Sequence, residues 1–270
     1  MSRLDSRLAE IRQADRKALV TFITAGDPTP EITVPALHAL VRGGADVLEL
    51  GIPFSDPEAE GPTIQAASER GLAQGMTLRK VLELTSAFRE RDSNTPVVLM
   101  GYFNSILAMG CERFAAAAAA SGVDGLIMVN LPPEESAQLK GALDEQGIRM
   151  IFLIAPTTTE SRARKIIESA SGFLYYVSLK GTTGSGNLDA GAVGEKLVWL
   201  RELTPLPLLV GFGIKDGADA HAVSTFSDGV VVGSALVNTM ARHSADPAAI
   251  PDALVAQVEE IRLALDQPPA

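Results

Sequence analysis

The segment Glu49 to Pro62, ELGIPFSDPEAEGP, places an ionisable residue in an apolar run and follows it with a loop carrying Asp56, Glu58 and Glu60. A carboxyl enclosed by apolar neighbours holds its proton more tightly and becomes useful as a general acid near neutral pH. A second carboxyl nearby disfavours joint ionisation, which divides such a pair into one acid and one anion. Two readings of Glu49 stay open at this level: an acid at a frayed strand end in water, or a proton donor held inside for its chemistry. Glu58 reads as a solvated loop acid, or as a nearby charge that raises the pKa of its neighbours.

Glycine-bearing turns form a second constellation. Leu179-Lys180-Gly181-Thr182-Thr183-Gly184-Ser185-Gly186-Asn187, Gly211-Phe212-Gly213-Ile214 and Gly233-Ser234-Ala235 each follow an apolar run. Glycine lets backbone N–H groups approach a ligand closely, and Gly233-Ser234 can open a short helix whose N-terminus attracts anions. One such turn is ordinary loop punctuation; three brought together would make a phosphate site held by backbone dipoles. Lys180 and Lys215 read as solvated loop residues, with Schiff-base formation as the alternative.

These groups act together only if the fold converges them. Eight short apolar runs end in turn residues: Ala18–Ile23, Val47–Leu50, Val97–Tyr102, Gly125–Val129, Met150–Ile154, Phe173–Ser178, Leu208–Gly211 and Val230–Val232. Helical spacing fills the intervals, as in Val34, Leu37, Leu40 and Val41, or Ile166, Ile167 and Ala170. Ala-rich Phe114–Ala120 stops at Ser121-Gly122, and Pro132-Pro133-Glu134-Glu135 reads as a helix opening. The interval between the second and third runs has room for two helices divided near Gly75-Met76-Thr77.

Alternating strands and helices predict an α/β fold, a single (β/α)8 TIM barrel over residues 1–270, with an extra N-terminal helix and additional short helices. An open doubly wound sheet is the alternative, although Thr24-Ala25-Gly26-Asp27-Pro28 is not a dinucleotide turn. Strand alternation puts Val47 and Glu49 on one face and Leu48 and Leu50 on the other. In a barrel the leucines face the helices, and Glu49 faces the interior at the carboxyl end of its strand, where such folds build their sites.

With 46% hydrophobic residues in 270, the chain can bury a large core. A formal charge of -10 argues against nucleic acid and anionic membrane surfaces. The sole cysteine, Cys111, reads as an apolar filler and points to a reducing compartment. The charged N-terminal segment lacks the apolar centre of a signal peptide, and Leu4, Leu8 and Ile11 mark the buried stripe of a short surface helix. No run of about 18 apolar residues suggests a membrane span. A cytoplasmic enzyme acting on a small molecule fits these limits.

The chain resembles the tryptophan synthase alpha subunit family nearly end to end. The residues that carry this are Phe22-Ile23-Thr24-Ala25-Gly26-Asp27-Pro28, Glu49-Leu50-Gly51-Ile52-Pro53-Phe54-Ser55-Asp56-Pro57, Gly61-Pro62-Thr63-Ile64-Gln65 and Met100-Gly101-Tyr102. Further matches are Leu131-Pro132-Pro133-Glu134-Glu135, Ala155-Pro156-Thr157-Thr158, Tyr175-Tyr176-Val177-Ser178 and Gly211-Phe212-Gly213-Ile214.

The resemblance implies retro-aldol cleavage of indole-3-glycerol phosphate to indole and glyceraldehyde 3-phosphate, in an allosteric alpha2beta2 heterotetramer. It implies no cofactor on this chain, with pyridoxal phosphate confined to the separate beta subunit. The family's catalytic carboxylates fall on Glu49 and position 60. Phe22, Tyr102 and Tyr175 match pocket-lining positions, and Thr183 matches the residue on the loop after strand six that reaches toward position 60. Phosphate contacts are implied for Gly184, Phe212, Gly213, Gly233 and Ser234. Asp56, Pro57, Asn104 and Pro132 match the face toward the beta subunit.

Four positions depart from the family pattern. Glu58 and Glu60 stand where an apolar residue and Asp are usual, Asn130 stands for Asp, and Ser105 for Pro. One added methylene moves the carboxylate at position 60 by about 1.5 Å. A barrel that chiefly activates its partner, a stand-alone indole-producing lyase and a lysine-dependent aldolase therefore stand as alternatives.

Overall fold

The computed structural model describes residues 2–178, 190–211 and 213–267. Eight strands form a closed parallel barrel in sequence order. They are β1 (Ala18–Thr24), β2 (Val47–Gly51), β3 (Val97–Gly101) and β4 (Gly125–Met128). The ring continues through β5 (Arg149–Ile154), β6 (Leu174–Val177), β7 (Leu208–Gly211) and β8 (Gly229–Val232). Pairing of Ala18 with Gly229 through Thr21 with Val232 closes it and excludes the open sheet.

Strand alternation produces two separate cores. Val20, Val47, Val98, Ile127, Ile151, Leu209 and Val231 pack together inside the barrel. Leu19, Leu48, Leu50, Leu99 and Val210 belong to the cluster that includes the surrounding helices. The helix Arg3–Gln13, opened by a capping box between Ser2 and Asp5, buries Leu4, Leu8 and Ile11. These three join the inner cluster, so the expected surface helix plugs one end of the barrel.

The β2–β3 interval holds two helices, Pro62–Ala73 and Leu78–Arg89. Thr77 caps the second, its hydroxyl accepting the Lys80 N–H. The expected helix opening at Pro132 is a 3-10 turn, Pro133–Glu135, ahead of the helix Ala137–Glu145. The third strand stops at Gly101, one residue short of expectation, and Tyr102 becomes the N-cap of a helix Phe103–Met109. Gly233 caps the helix Ser234–Arg242. Among the described residues no helix is long and apolar enough to cross a membrane.

The helix Pro62–Ala73 begins two residues after Glu60, so its anchorage sets where that carboxyl stands. Arg70 on this helix donates to both oxygens of Asp27, at 2.6 and 3.0 Å. Asp27 is fully buried, and that burial raises its pKa even with the guanidinium beside it. Gly71 fits against the same β1 loop, since a Cβ there would lie 2.8 Å from the Ala25 carbonyl oxygen. Replacing Arg70 by Ala strands a buried carboxyl, and urea denaturation is expected to show a loss of about 3–5 kcal/mol. The double change Asp27→Asn, Arg70→Ala is expected to recover part of it; a loss from Arg70→Ala alone below about 1 kcal/mol would rank the pair with exposed ion pairs.

Candidate active site

Glu49 faces the barrel interior, between Phe22 of β1 and Val98 of β3 in register, and is 1% exposed. Among the described residues its Oε2 has no hydrogen-bond partner. A buried polar atom without a partner is costly, and it marks a position where a ligand's donor would be welcome. Burial pushes the Glu49 carboxyl up to about 8, and the negative charge of Glu60 adds to the rise. Glu60 is half-buried, and desolvation pushes it up to about 7.

Both carboxyls line one cavity of about 500 Å³. Phe22 and Tyr175 form part of its wall, as do Gly213, Gly233 and Ser234 from the turns after β7 and β8. Glycine makes room for the aromatic rings. A Cβ at Gly51 would lie 2.7 Å from the Phe22 ring, and one at Gly211 would lie 2.1 Å from the Tyr175 hydroxyl. Burial and the two carboxyls hold the Tyr175 phenol well above its ordinary pKa, so it stays neutral.

Other expected site residues stand elsewhere. Tyr102 is absent from the wall of the main cavity and sits in a small adjoining cleft with Phe54, Pro57 and Glu60. Its ring stacks on Phe54 at 4.9 Å, and its hydroxyl accepts the Ala59 N–H at 3.0 Å. Thr183, Gly184, Phe212 and Lys180 lie outside the described residues. Asp56, Glu58, Asn104 and Pro132 are exposed, and Pro57 is half-buried. Cys111 is buried, as a filler would be, and burial raises its thiol pKa.

Asn130, which removes a charge where Asp is usual, is tied in through neutral hydrogen bonds. Its Oδ1 accepts the Phe103 N–H at 2.8 Å, and its Nδ2 donates to Asn104 Oδ1 at 3.0 Å. The backbone of Ser105 donates to the Tyr102 carbonyl at 3.3 Å. The first turn of the helix Phe103–Met109, which carries Asn104, is thus stitched to the β4 exit without the proline.

Residue reading overlooked part of the cavity wall. Lys215, read as a solvated loop residue, is indeed exposed but also lines the cavity, and Arg242, which that reading passes over, joins it, so positive side chains supplement the backbone dipoles expected to attract an anion. Ser234, Asn238 and Arg242, spaced by four on one helix, all reach the cavity; that spacing is the available signal. Gln257 has no local signal, because tertiary packing delivers it from the helix Ile250–Leu265.

The arrangement suits proton transfer to an anionic substrate. One carboxyl keeps its proton at neutral pH and the second lies near half-ionisation. Among the described residues the helix that opens at Ser234 has no side-chain cap, and a helix N-terminus attracts anions such as phosphate.

Comparisons with known proteins agree with this picture. The family model described as tryptophan synthase alpha chain matches residues 8–265. The tryptophan synthase alpha chain of Thioalkalivibrio sulfidiphilus is 54% identical over 266 residues, covering 98% of this chain and 100% of its own. That of Marinobacter nauticus is 52% identical, covering 98% of each. The crystal structure of tryptophan synthase subunit alpha from Legionella pneumophila superposes with a TM-score of 0.92 at 42% identity, covering 98% of this chain and 99% of that one.

The raised pKa of Glu49 has a stability consequence. Between the ordinary glutamate value of about 4.3 and the folded value, the folded state keeps a proton that the unfolded chain has lost. Stability from this group is therefore complete below that range and declines as pH rises toward 8. Glu49→Gln removes the decline. Urea midpoints are expected to favour the variant by on the order of 2–4 kcal/mol at pH 8 and by little at pH 5. Equal midpoints at both pH values would show that Glu49 ionises freely in the fold.

Proposed function

The chain belongs to the tryptophan synthase alpha chain family, and from that premise we infer that its barrel mouth cleaves indole-3-glycerol phosphate to indole and glyceraldehyde 3-phosphate. The reaction is a carbon–carbon lyase step, a retro-aldol cleavage. The observation that carries the assignment of roles is the shared cavity, in which a carboxyl raised to about 8 and another raised to about 7 stand with the anion-attracting turns.

An indole carbanion leaves poorly, so ring carbon C3 is protonated before the bond to the glycerol chain breaks. Glu49, protonated at neutral pH, supplies that proton. Positive charge then develops toward the ring nitrogen, where Glu60 as a carboxylate stabilises it or accepts the N–H proton. Glu49, now an anion, takes the proton from the side-chain hydroxyl next to the ring. The carbon–carbon bond opens to an aldehyde, and its electron pair returns to the indole. Where Glu60 has taken the ring proton it returns it, so both groups end as they began.

Phe22 and Tyr175 supply an apolar wall for the ring, while Gly213, Gly233 and Ser234 hold the phosphate with help from Lys215 and Arg242. Thr183, Gly184 and Phe212 join this set by resemblance. Acid–base chemistry alone suffices, so no cofactor is assigned to this chain.

Family membership implies a beta-subunit partner. We assign the exposed face of Asp56, Asn104 and Pro132, with half-buried Pro57, to that contact in a cytoplasmic alpha2beta2 assembly. Pyridoxal phosphate then belongs to the beta subunit. The exposed Leu107, on the same helix as Asn104, adds apolar area to this face. Glu60 in place of the usual aspartate favours a second reading, a barrel that mainly activates its partner. Indole release by the chain alone and with the beta subunit separates the two: activity rising from a measurable basal rate supports the lyase, and none in either state supports the activator.

Glu49→Gln is expected to cut indole release by about 10²–10⁴-fold. In wild type, kcat/KM is expected to rise as Glu60 loses its proton near pH 7 and to fall as Glu49 loses its own near pH 8. A flat profile across pH 6 to 9 would remove both groups from the rate. Glu60→Asp is expected to keep or improve the rate; a large loss would show a pocket built around the longer side chain.

A further inference from the structure

The residues around Glu60 form a loop whose outer side, at Asp56, Glu58 and Ala59, faces solvent. Such a loop has little of its own to fix a catalytic side chain. A glutamate at its inner end needs more restraint than an aspartate, because its longer arm samples more positions.

Two side chains from different elements hold the chain before and after Glu60, one at the Glu58–Ala59 peptide unit and one at the Glu60–Gly61 unit. The Tyr102 hydroxyl accepts the Ala59 N–H at 3.0 Å, and Gln65 Nε2 donates to the Glu60 carbonyl at 2.9 Å. The Glu60 N–H itself closes a turn onto the Pro57 carbonyl at 3.0 Å. Tyr102 is a firm anchor: it is 6% exposed, stacked on Phe54, and follows directly from β3. Burial and the nearby Glu60 and Glu58 charges push its phenol up to about 12, so it remains a neutral acceptor at working pH.

We propose that Tyr102 is a positioning residue for the cleavage, one that accepts the Ala59 N–H from behind the loop and thereby holds the Glu60 carboxyl in the cavity beside Glu49. The proposal rests on the reading of Glu60 as the group acting on the ring nitrogen. It gives Tyr102 a role distinct from touching substrate, consistent with its place in the side cleft. A carboxyl displaced by about 1 Å loses on the order of a hundredfold in rate, and loss of one of several restraints costs less than that.

The test is steady-state indole release by the full chain as wild type, Tyr102→Phe, Glu60→Gln and the double variant, from pH 6 to 9. Tyr102→Phe keeps the ring stack and removes only the acceptor. It is expected to lower kcat by roughly 10–50-fold, with KM within about threefold, and to move the acidic limb of the kcat profile. Added to Glu60→Gln, it is expected to cost no more than about twofold, because the group it positions is already gone.

Wild-type kcat and profile in Tyr102→Phe would overturn the proposal, as would an equal loss in both backgrounds. If Glu60→Gln matches wild type, the role given to Glu60 falls and the proposal falls with it. If Glu60→Gln is inactive while Tyr102→Phe is unimpaired, the proposal alone fails. Gln65→Met, which cuts the second tether, gives an independent arm and is expected to repeat the pattern more weakly. Should the Glu60→Gln rate be too low to divide further, carbon NMR titration of the Glu60 carboxyl in Tyr102→Phe decides: a shift toward the ordinary glutamate range supports the proposal, and an unchanged titration overturns it.

Discussion

A closed ring of parallel strands leaves a charged side chain on its inner face no cheap route to water. That constraint governs the site. Glu49 occupies such a position, and it can be neutral there at far lower cost than it can be charged. The fold therefore makes an acid of an ordinary glutamate by desolvating it, with the Glu60 charge adding to the effect. An inward-facing Gln would be easier to accommodate, so the destabilised residue marks where stability has been exchanged for chemistry.

The remainder of the mouth follows from the same geometry. Parallel strands deliver their exits to one rim, so β2, β7 and β8 bring carboxyls and anion-attracting turns to a common cavity. Phe22 and Tyr175 thicken its wall and deepen the desolvation that raises both carboxyls. Their bulk is tolerated because Gly51 and Gly211 carry no side chain in the space they occupy. The helix Arg3–Gln13 adds Leu4, Leu8 and Ile11 to the interior core, opposite the mouth that holds the cavity.

The fold was legible because its signals are local. Apolar runs punctuated by glycine mark the strands, and alternation alone assigned Glu49 inward and Leu48 and Leu50 outward. Boundaries were less legible: Tyr102 reads as the end of a strand, but the chain turns there into a short helix. The Tyr102 ring lines the side cleft that shares Phe22, Glu60, Ile64 and Met100 with the main cavity. The carboxylate at position 60 and the aromatic wall came from family resemblance, since loop acids and core aromatics look alike in an isolated sequence. Asn238 and Arg242 were readable as a stripe with Ser234 once the helix was granted. Gln257 was not, because only tertiary packing carries it to the mouth.

The central claim is that Glu49 keeps its proton inside the barrel at neutral pH. Difference infrared spectroscopy of wild type against Glu49→Gln, followed from pH 5 to 9, reads that proton directly. The account requires a carboxylic-acid carbonyl band that persists through pH 7 and converts to carboxylate near pH 8. A band already lost by pH 5 would mean that the residue is ionised in the resting protein, and the mechanism built on it would fail.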